Sequence, residues 1–176
     1  TEWGLKIKEF RTARMDARFL RENPQVRAKD INDAFADPEV KAIFASIGGD
    51  DSVRILPFVD KDIVAKNPKI LMGYSDTSTL HVFVNLQGLV SFYGPSIMAG
   101  FSQMENLPES FKNHVHKILF EPKKTTSINL MENIATATLT GQIKKILEKQ
   151  NQSKRTTAGI GYKEIQRFKA NYLAVV

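Results

Sequence analysis

The stretch NPKILMGYSDTSTLH, Asn67 to His81, sets the architecture of what surrounds it. The run Lys69-Ile70-Leu71-Met72 has the length and composition of a short buried strand. Gly73 and Tyr74 break that run, and from Thr77 onward apolar residues recur at helical spacing. Ser75 therefore stands where a buried strand turns into a helix. Two roles suit a serine there. Its hydroxyl can cap the helix by accepting an amide hydrogen bond. It can also stand clear of a sharp turn as a nucleophile, with the helix N-terminus favouring negative charge that develops beside it.

Outward from this turn the pattern repeats. VKAIFASIGG (residues 40–49) reads as a buried strand entering a glycine turn, and LVSFYGP (residues 89–95) as another strand. Strands are expected over residues 41–45, 69–72 and 90–93. Between them, DDSVRILPFVD suggests a short helix capped by Asp51 or Ser52, and TSTLHVFVNLQ a second helix. Upstream, Ile31, Ala34 and Phe35 share one face of a helix that Pro38 stops. Residues 6–20 mix polar and apolar positions and are expected to be helical. Strand and helix in alternation predict an α/β fold, a parallel sheet flanked by helices. Ligands of such sheets sit beyond the carboxyl ends of the strands. Three turns fall there: Gly48-Gly49-Asp50-Asp51, Gly73-Tyr74-Ser75-Asp76 and Tyr93-Gly94-Pro95-Ser96. The backbone amides of Asp76 and of the Gly48-Gly49 turn are candidate donors to an oxyanion. Gly48, Asp50 and Gly94 are the candidate substrate-binding positions.

Composition narrows the function classes. A chain of 176 residues, 42% hydrophobic and 25% charged, suits a globular domain with a real core. No apolar run approaches the roughly 20 residues that a spanning helix needs. The start, Thr1-Glu2-Trp3-Gly4, carries no initiator Met and no signal-peptide pattern, so a trimmed chain or a piece of a longer one is expected. The absence of cysteine excludes disulfides, thiolate metal sites and a cysteine nucleophile, and it suits a reducing compartment. The formal charge of +6 is concentrated in residues 144–169, where eight Lys or Arg face two Glu. A solvated helix face is the ordinary meaning of such a run, and nucleic acid is not an expected partner.

RAKDINDAFADPEVKAIFASIGGDDSVRILPFVD, followed by NPKILMGYSDTSTLHVFVNLQGLVSFYGPSIMAGF, resembles the N-terminal domain of the serine LD-carboxypeptidases. That family includes muramoyl-tetrapeptide carboxypeptidases and microcin C immunity peptidases. The resemblance runs from about Phe19 to Pro122 and rests on three motifs in order: Arg-Ala-x-Asp with Asp-Pro, the Gly-Gly turn, and Gly-Tyr-Ser-Asp with its downstream Gly-Pro. It implies Ser75 as nucleophile, with the Asp76 and Gly49 amides as oxyanion donors. The implied reaction is cytoplasmic hydrolysis of the amide before a terminal D-amino acid in murein-derived peptides, with no cofactor and no metal. It further implies an α/β domain over residues 1–122 that lacks the family's first strand. Residues 123–176 are left as a helical basic tail.

A nucleophilic serine needs a base and a group that orients the base. In the family these are a His and a Glu of a second domain, and no counterparts are found in this sequence. His81 lies on the helix that follows Ser75, turned to another side. His114 and His116 read as surface histidines. The tail offers a helical stripe, Leu139, Ile143, Ile146 and Leu147. Its segment SKRTTAGIGYKEIQRFKANYL resembles, over about twenty residues, tRNA dimethylallyltransferases, without their phosphate-binding loop. Two other functions remain open: a non-catalytic binding module on the same sheet, and a phosphate-binding kinase-like domain. The kinase-like case rests on the likeness of IGGDDS to a Gly-Gly-Asp-Gly-Thr turn, although Asp51 adds a carboxylate that would repel phosphate. The expected partner is a peptide, with a second copy of the chain as a further candidate.

Overall fold

The computed structural model describes residues 3–121, 125–126, 155–156 and 172–175. In chain order these contain β1 (Lys6–Glu9), α1 (Ala17–Glu22), α2 (Pro24–Ala36), β2 (Val40–Phe44), α3 (Lys61–Lys66) and β3 (Ile70–Gly73). There follow α4 (Ser78–Leu86), β4 (Phe92–Tyr93), α5 (Glu109–Phe120), β5 (Thr125–Thr126), β6 (Arg155–Thr156) and β7 (Tyr172–Val175). Two compact units result, one of residues 1–105 with 159–176 and the other of residues 106–158. In the second, α5 buries Val115 and Leu119, and β5 pairs antiparallel with β6. Among the described residues no helix is long and apolar enough to cross a membrane.

The first unit is built on a five-stranded sheet in the order β1-β7-β2-β3-β4, parallel throughout. The expected α/β sheet is therefore present, with three of its strands within a residue or two of their expected places. β2 and β3 are almost wholly buried, as central parallel strands must be when both faces are covered. Because β1, β2, β3 and β4 step across the sheet in one direction, right-handed crossovers put their helices on one face. There α2, α3 and α4 share a core in which Phe35, Ile43, Ile55, Leu71, Val64 and Val84 are fully or almost fully buried. Alternate strand residues, including Phe44 and Met72, point to the opposite face, where Phe101 stacks on Phe44 at 5.0 Å between ring centres.

Local chemistry explains the helix that frames the site. Pro24 opens α2 at a position where its missing amide hydrogen costs no bond. Ala28, Ile31, Ala34 and Phe35 form its buried face, as their spacing predicts. Asp37-Pro38 ends it. Before it, Asp16 caps α1, its carboxylate accepting from the amides of Arg18 and Phe19.

Three expectations need correction. Lys6–Glu9 is a strand, not the start of a helix: it is an edge strand, mostly exposed, held by pairing with β7 rather than by its own apolar pattern. The turn at residues 52–58 is a 3-10 helix without a side-chain cap from its own N-terminus. Tyr172–Val175, expected within a helical tail, is a strand inserted between β1 and β2. The helix expected over residues 130–150 lies outside the described residues.

Candidate active site

The turn after β3 is sharp enough to force unusual backbone geometry. Gly73 ends the strand where an added Cβ would lie 2.9 Å from both Ala45 Cβ and Thr77 Cγ2, so only a hydrogen fits there. Two residues later Ser75 adopts φ of 59°, alone among the described non-glycine residues in the left-handed region. Such a conformation costs on the order of 1–3 kcal/mol and persists only where the surroundings enforce it. The enforcing contacts are visible. The Ser75 amide donates to Tyr93 Oη at 3.2 Å, and Ser78 Oγ donates to the Ser75 carbonyl. The Ser75 hydroxyl caps nothing: no side-chain bond is made to the amides that open α4. The question raised by the sequence is thus decided against the cap.

The glycine turn after β2 packs directly on this elbow. A Cβ on Gly48 would lie 3.2 Å from Ser75 Cβ, and one on Gly49 would lie 3.0 Å from Asp76 Oδ2. Asp76 Oδ2 accepts from the amides of Asp51 at 3.1 Å and Ser52 at 2.9 Å. The cap of the 3-10 helix thus comes from the neighbouring loop. The Asp76 carbonyl accepts from Ser52 Oγ at 2.6 Å and Thr79 Oγ1 at 3.0 Å. From the other side, Arg27 of α2 holds Asp51 at 2.6 Å in a largely buried ion pair. The amides of Gly49 and Asp76 donate to no turn, loop or side-chain acceptor among the described residues. Two free donors beside one strained serine can receive an oxyanion. The amides of Asp51 and Ser52, in contrast, are already taken by a carboxylate, which leaves a phosphate little to bind in this turn.

The sequence-derived residues are sorted by this geometry. Ser75, Asp76, Gly48 and Gly49 meet at one point. Gly94 stands behind them, its amide donating to the Gly73 carbonyl at 3.0 Å, and a Cβ added there would lie 3.3 Å from Met72 Cε. Asp50 lies at the rim, mostly exposed, against Arg21 of α1. Sequence reasoning missed Tyr93 and Arg21, read Ser52 only as a helix cap, and gave Arg27 of the Arg-Ala-x-Asp motif no role at the site. Tyr93 sits within a turn singled out for its glycine, and the phenol was the available signal.

His81 is buried at 7% relative exposure, with its Nε2 2.9 Å from the Gly73 carbonyl and its Nδ1 without a partner among the described residues. That contact makes Nε2 the protonated nitrogen, so His81 braces the strand end and is occupied there. Burial lowers its pKa below 6.5, against the smaller opposing effect of the Gly73 carbonyl. The unfolded chain binds the proton more readily, so stability is complete above about pH 6.5 and falls as pH drops below it. We expect the urea midpoint to decline between about pH 7 and 5, and His81→Gln to flatten that decline. An equal slope in the variant would remove His81 from the account. His114 and His116 lie on α5 in the other unit, where His116 stacks on Phe120 and approaches Glu121 at 3.6 Å.

Comparisons with known proteins place this arrangement. The chain matches the LD-carboxypeptidase N-terminal domain family over residues 1–94. It is 38% identical over 94 residues to the microcin C7 self-immunity protein MccF of Escherichia coli, covering 53% of this chain and 27% of that protein. A probable murein peptide carboxypeptidase of Bacillus subtilis is 35% identical over 97 residues, 54% of this chain and 30% of that one. Among solved structures, MccF in complex with aspartyl sulfamoyl adenosine superposes with a TM-score of 0.57 at 34% identity, over 62% of this chain and 33% of that one. The muramoyltetrapeptide carboxypeptidase of Oxalobacter formigenes does so with a TM-score of 0.53 at 30% identity, over 59% and 35%. The chain spans less than a third of the length of these two curated relatives. With the parallel sheet, the strained serine elbow and the match over residues 1–94, the chain belongs to the LD-carboxypeptidase N-terminal domain family.

Proposed function

We propose that this chain carries the nucleophile and oxyanion half of a serine peptidase of the LD-carboxypeptidase type. Its substrate is a murein-derived peptide or a related amide, cut before a terminal D-amino acid in the cytoplasm. Ser75 is the nucleophile, Asp76 and Gly49 give backbone donors, and Gly48, Asp50 and Gly94 border the substrate. The observation that carries this is the positive φ of Ser75 at a strand-to-helix elbow with Gly48 and Gly49 against it.

In this reaction the Ser75 hydroxyl attacks the amide carbonyl and loses its proton to a base. The carbonyl oxygen takes the negative charge beside the two amides. Collapse expels the amine of the D-amino acid with a proton returned to it, and water then releases the acyl group from Ser75. Among the described residues nothing hydrogen-bonds to the Ser75 hydroxyl. The base therefore comes from outside them, as the family's second domain would supply it. The same gap favours one other reading, a non-catalytic binding module on this sheet.

A serine-reactive fluorophosphonate separates the two. We expect slow labelling located at Ser75 by peptide mass spectrometry, absent in Ser75→Ala and faster when a second domain of a full-length relative is supplied. A Ser75 that stays unlabelled under both conditions favours the binding module.

A further inference from the structure

The Gly48-Gly49 turn has two sides. One meets Ser75 and Asp76; the other forms a wall of a cavity of about 580 Å³ between the α1 region and the loop after β2. The cavity lies at the carboxyl edge of the sheet, where parallel folds place their ligands. Its lining is apolar at Met15, Ile31, Ile55 and Leu80, and it carries three arginines, Arg18, Arg21 and Arg27. These differ in how far they are committed. Arg27 is bound at 2.6 Å to Asp51 in a pair that is largely buried at both ends. Arg18 pairs with Glu22 of its own helix, at 87% exposure. Arg21 reaches across to Asp50 at 3.0 Å, and both side chains are mostly exposed, at 56% and 77%. An exposed ion pair of this kind contributes little and opens readily.

We propose that this cavity is the subsite for the terminal amino acid of the substrate, with Arg21 as the receptor for its free carboxylate. The proposal rests on the serine-peptidase reading. Gly49 and Asp76, the proposed oxyanion donors, also line the cavity beside Asp50, so the residue that follows a scissile carbonyl held there has the cavity next to it. An enzyme that removes a terminal residue must recognise a chain end, and a free carboxylate is what distinguishes that end from the chain interior. A guanidinium receives a carboxylate through two parallel hydrogen bonds. Here the incoming carboxylate displaces Asp50, which holds Arg21 in place until the substrate arrives. The apolar lining beneath accepts a small side chain such as a methyl group.

The two partners of the ion pair give opposite signs, and the test uses that. N-acetyl-D-alanine and its carboxamide are titrated into the full 176-residue chain and followed by isothermal calorimetry and by amide chemical shifts. The acid should bind roughly tenfold more tightly than the carboxamide, which lacks the charge. Arg21→Gln should weaken the acid by about tenfold, and Asp50→Asn should tighten it a few-fold by releasing Arg21. Lys29→Gln, which removes an equal charge from the exposed side of α2 outside the cavity lining, should change it by less than about twofold. The subsite is overturned if the acid does not saturate, if the carboxamide binds equally well, or if Arg21→Gln and Asp50→Asn shift affinity in the same direction. None of these readouts needs turnover. A chain that binds the acid as described but never labels at Ser75 keeps the subsite and loses the peptidase.

Discussion

Ala174→Pro should unfold the sheet at temperatures where the parent chain is intact. Ala174 lies in β7 between two parallel neighbours, opposite Lys8 of β1 and Ile43 of β2. A proline there removes a ladder hydrogen bond and sets a ring against an adjoining strand, which confines prolines to sheet edges and bulges. The unpaired carbonyl alone costs about 1–3 kcal/mol, and the ring clash adds to it, against a usual total of about 5–15 kcal/mol. Among the described residues β1 pairs only with β7, so it should be released with it. Trp3, the sole tryptophan, lies three residues before β1 with its ring 5.7 Å from Phe101, and its fluorescence reports that release. Urea titrations followed by circular dichroism and by Trp3 emission should both show a much lower midpoint. A midpoint within error of the parent would remove β7 from the centre of the sheet.

Turnover should respond even more strongly, to a change of partner rather than of residue. Alone, the 176-residue chain should hydrolyse an L,D-tetrapeptide barely above background. Among the described residues the amides of Gly49 and Asp76, its proposed oxyanion donors, carry no other bond, but nothing hydrogen-bonds to the Ser75 hydroxyl. Peptidases stripped of triad members keep about 10³–10⁴-fold acceleration over water from the oxyanion site and binding. Ser75→Ala should change that residual rate little. With the second domain of a full-length relative supplied, turnover should rise by about a thousandfold or more and become wholly dependent on Ser75. Product release is followed by chromatography of the freed D-amino acid. Robust turnover by the chain alone, lost in Ser75→Ala, would show that it contains its own base.

The elements legible in the sequence share one property: their signals are local. The face of α2 follows from Ile31, Ala34 and Phe35, and its end from Pro38. β2 and β3 follow from short apolar runs closed by glycines, and the elbow from Gly73-Tyr74-Ser75-Asp76. What was not legible depends on distant partners. β1 has too polar a face to read as a strand, and its partner residues are 172–175. The cap of the 3-10 helix comes from Asp76, which is 24 residues from Ser52 and 25 from Asp51. The phenol that receives the Ser75 amide is 18 residues away. Serine was a fair candidate for a helix cap by residue type. The left-handed backbone that decides against it comes from the packing of three loops.

Asp76 has a consequence for how the elbow tolerates motion. Its amide is one of the two proposed oxyanion donors, and its carboxylate tethers the loop that presents the other. One residue thereby acts as a ruler between two strands. A sliding of β3 along β2 would carry the glycine loop with it, so the spacing between the donors is insulated from breathing of the sheet. Ser52 Oγ on the Asp76 carbonyl is a second tie across the same gap, so loop and elbow are fastened at two points and move as one piece.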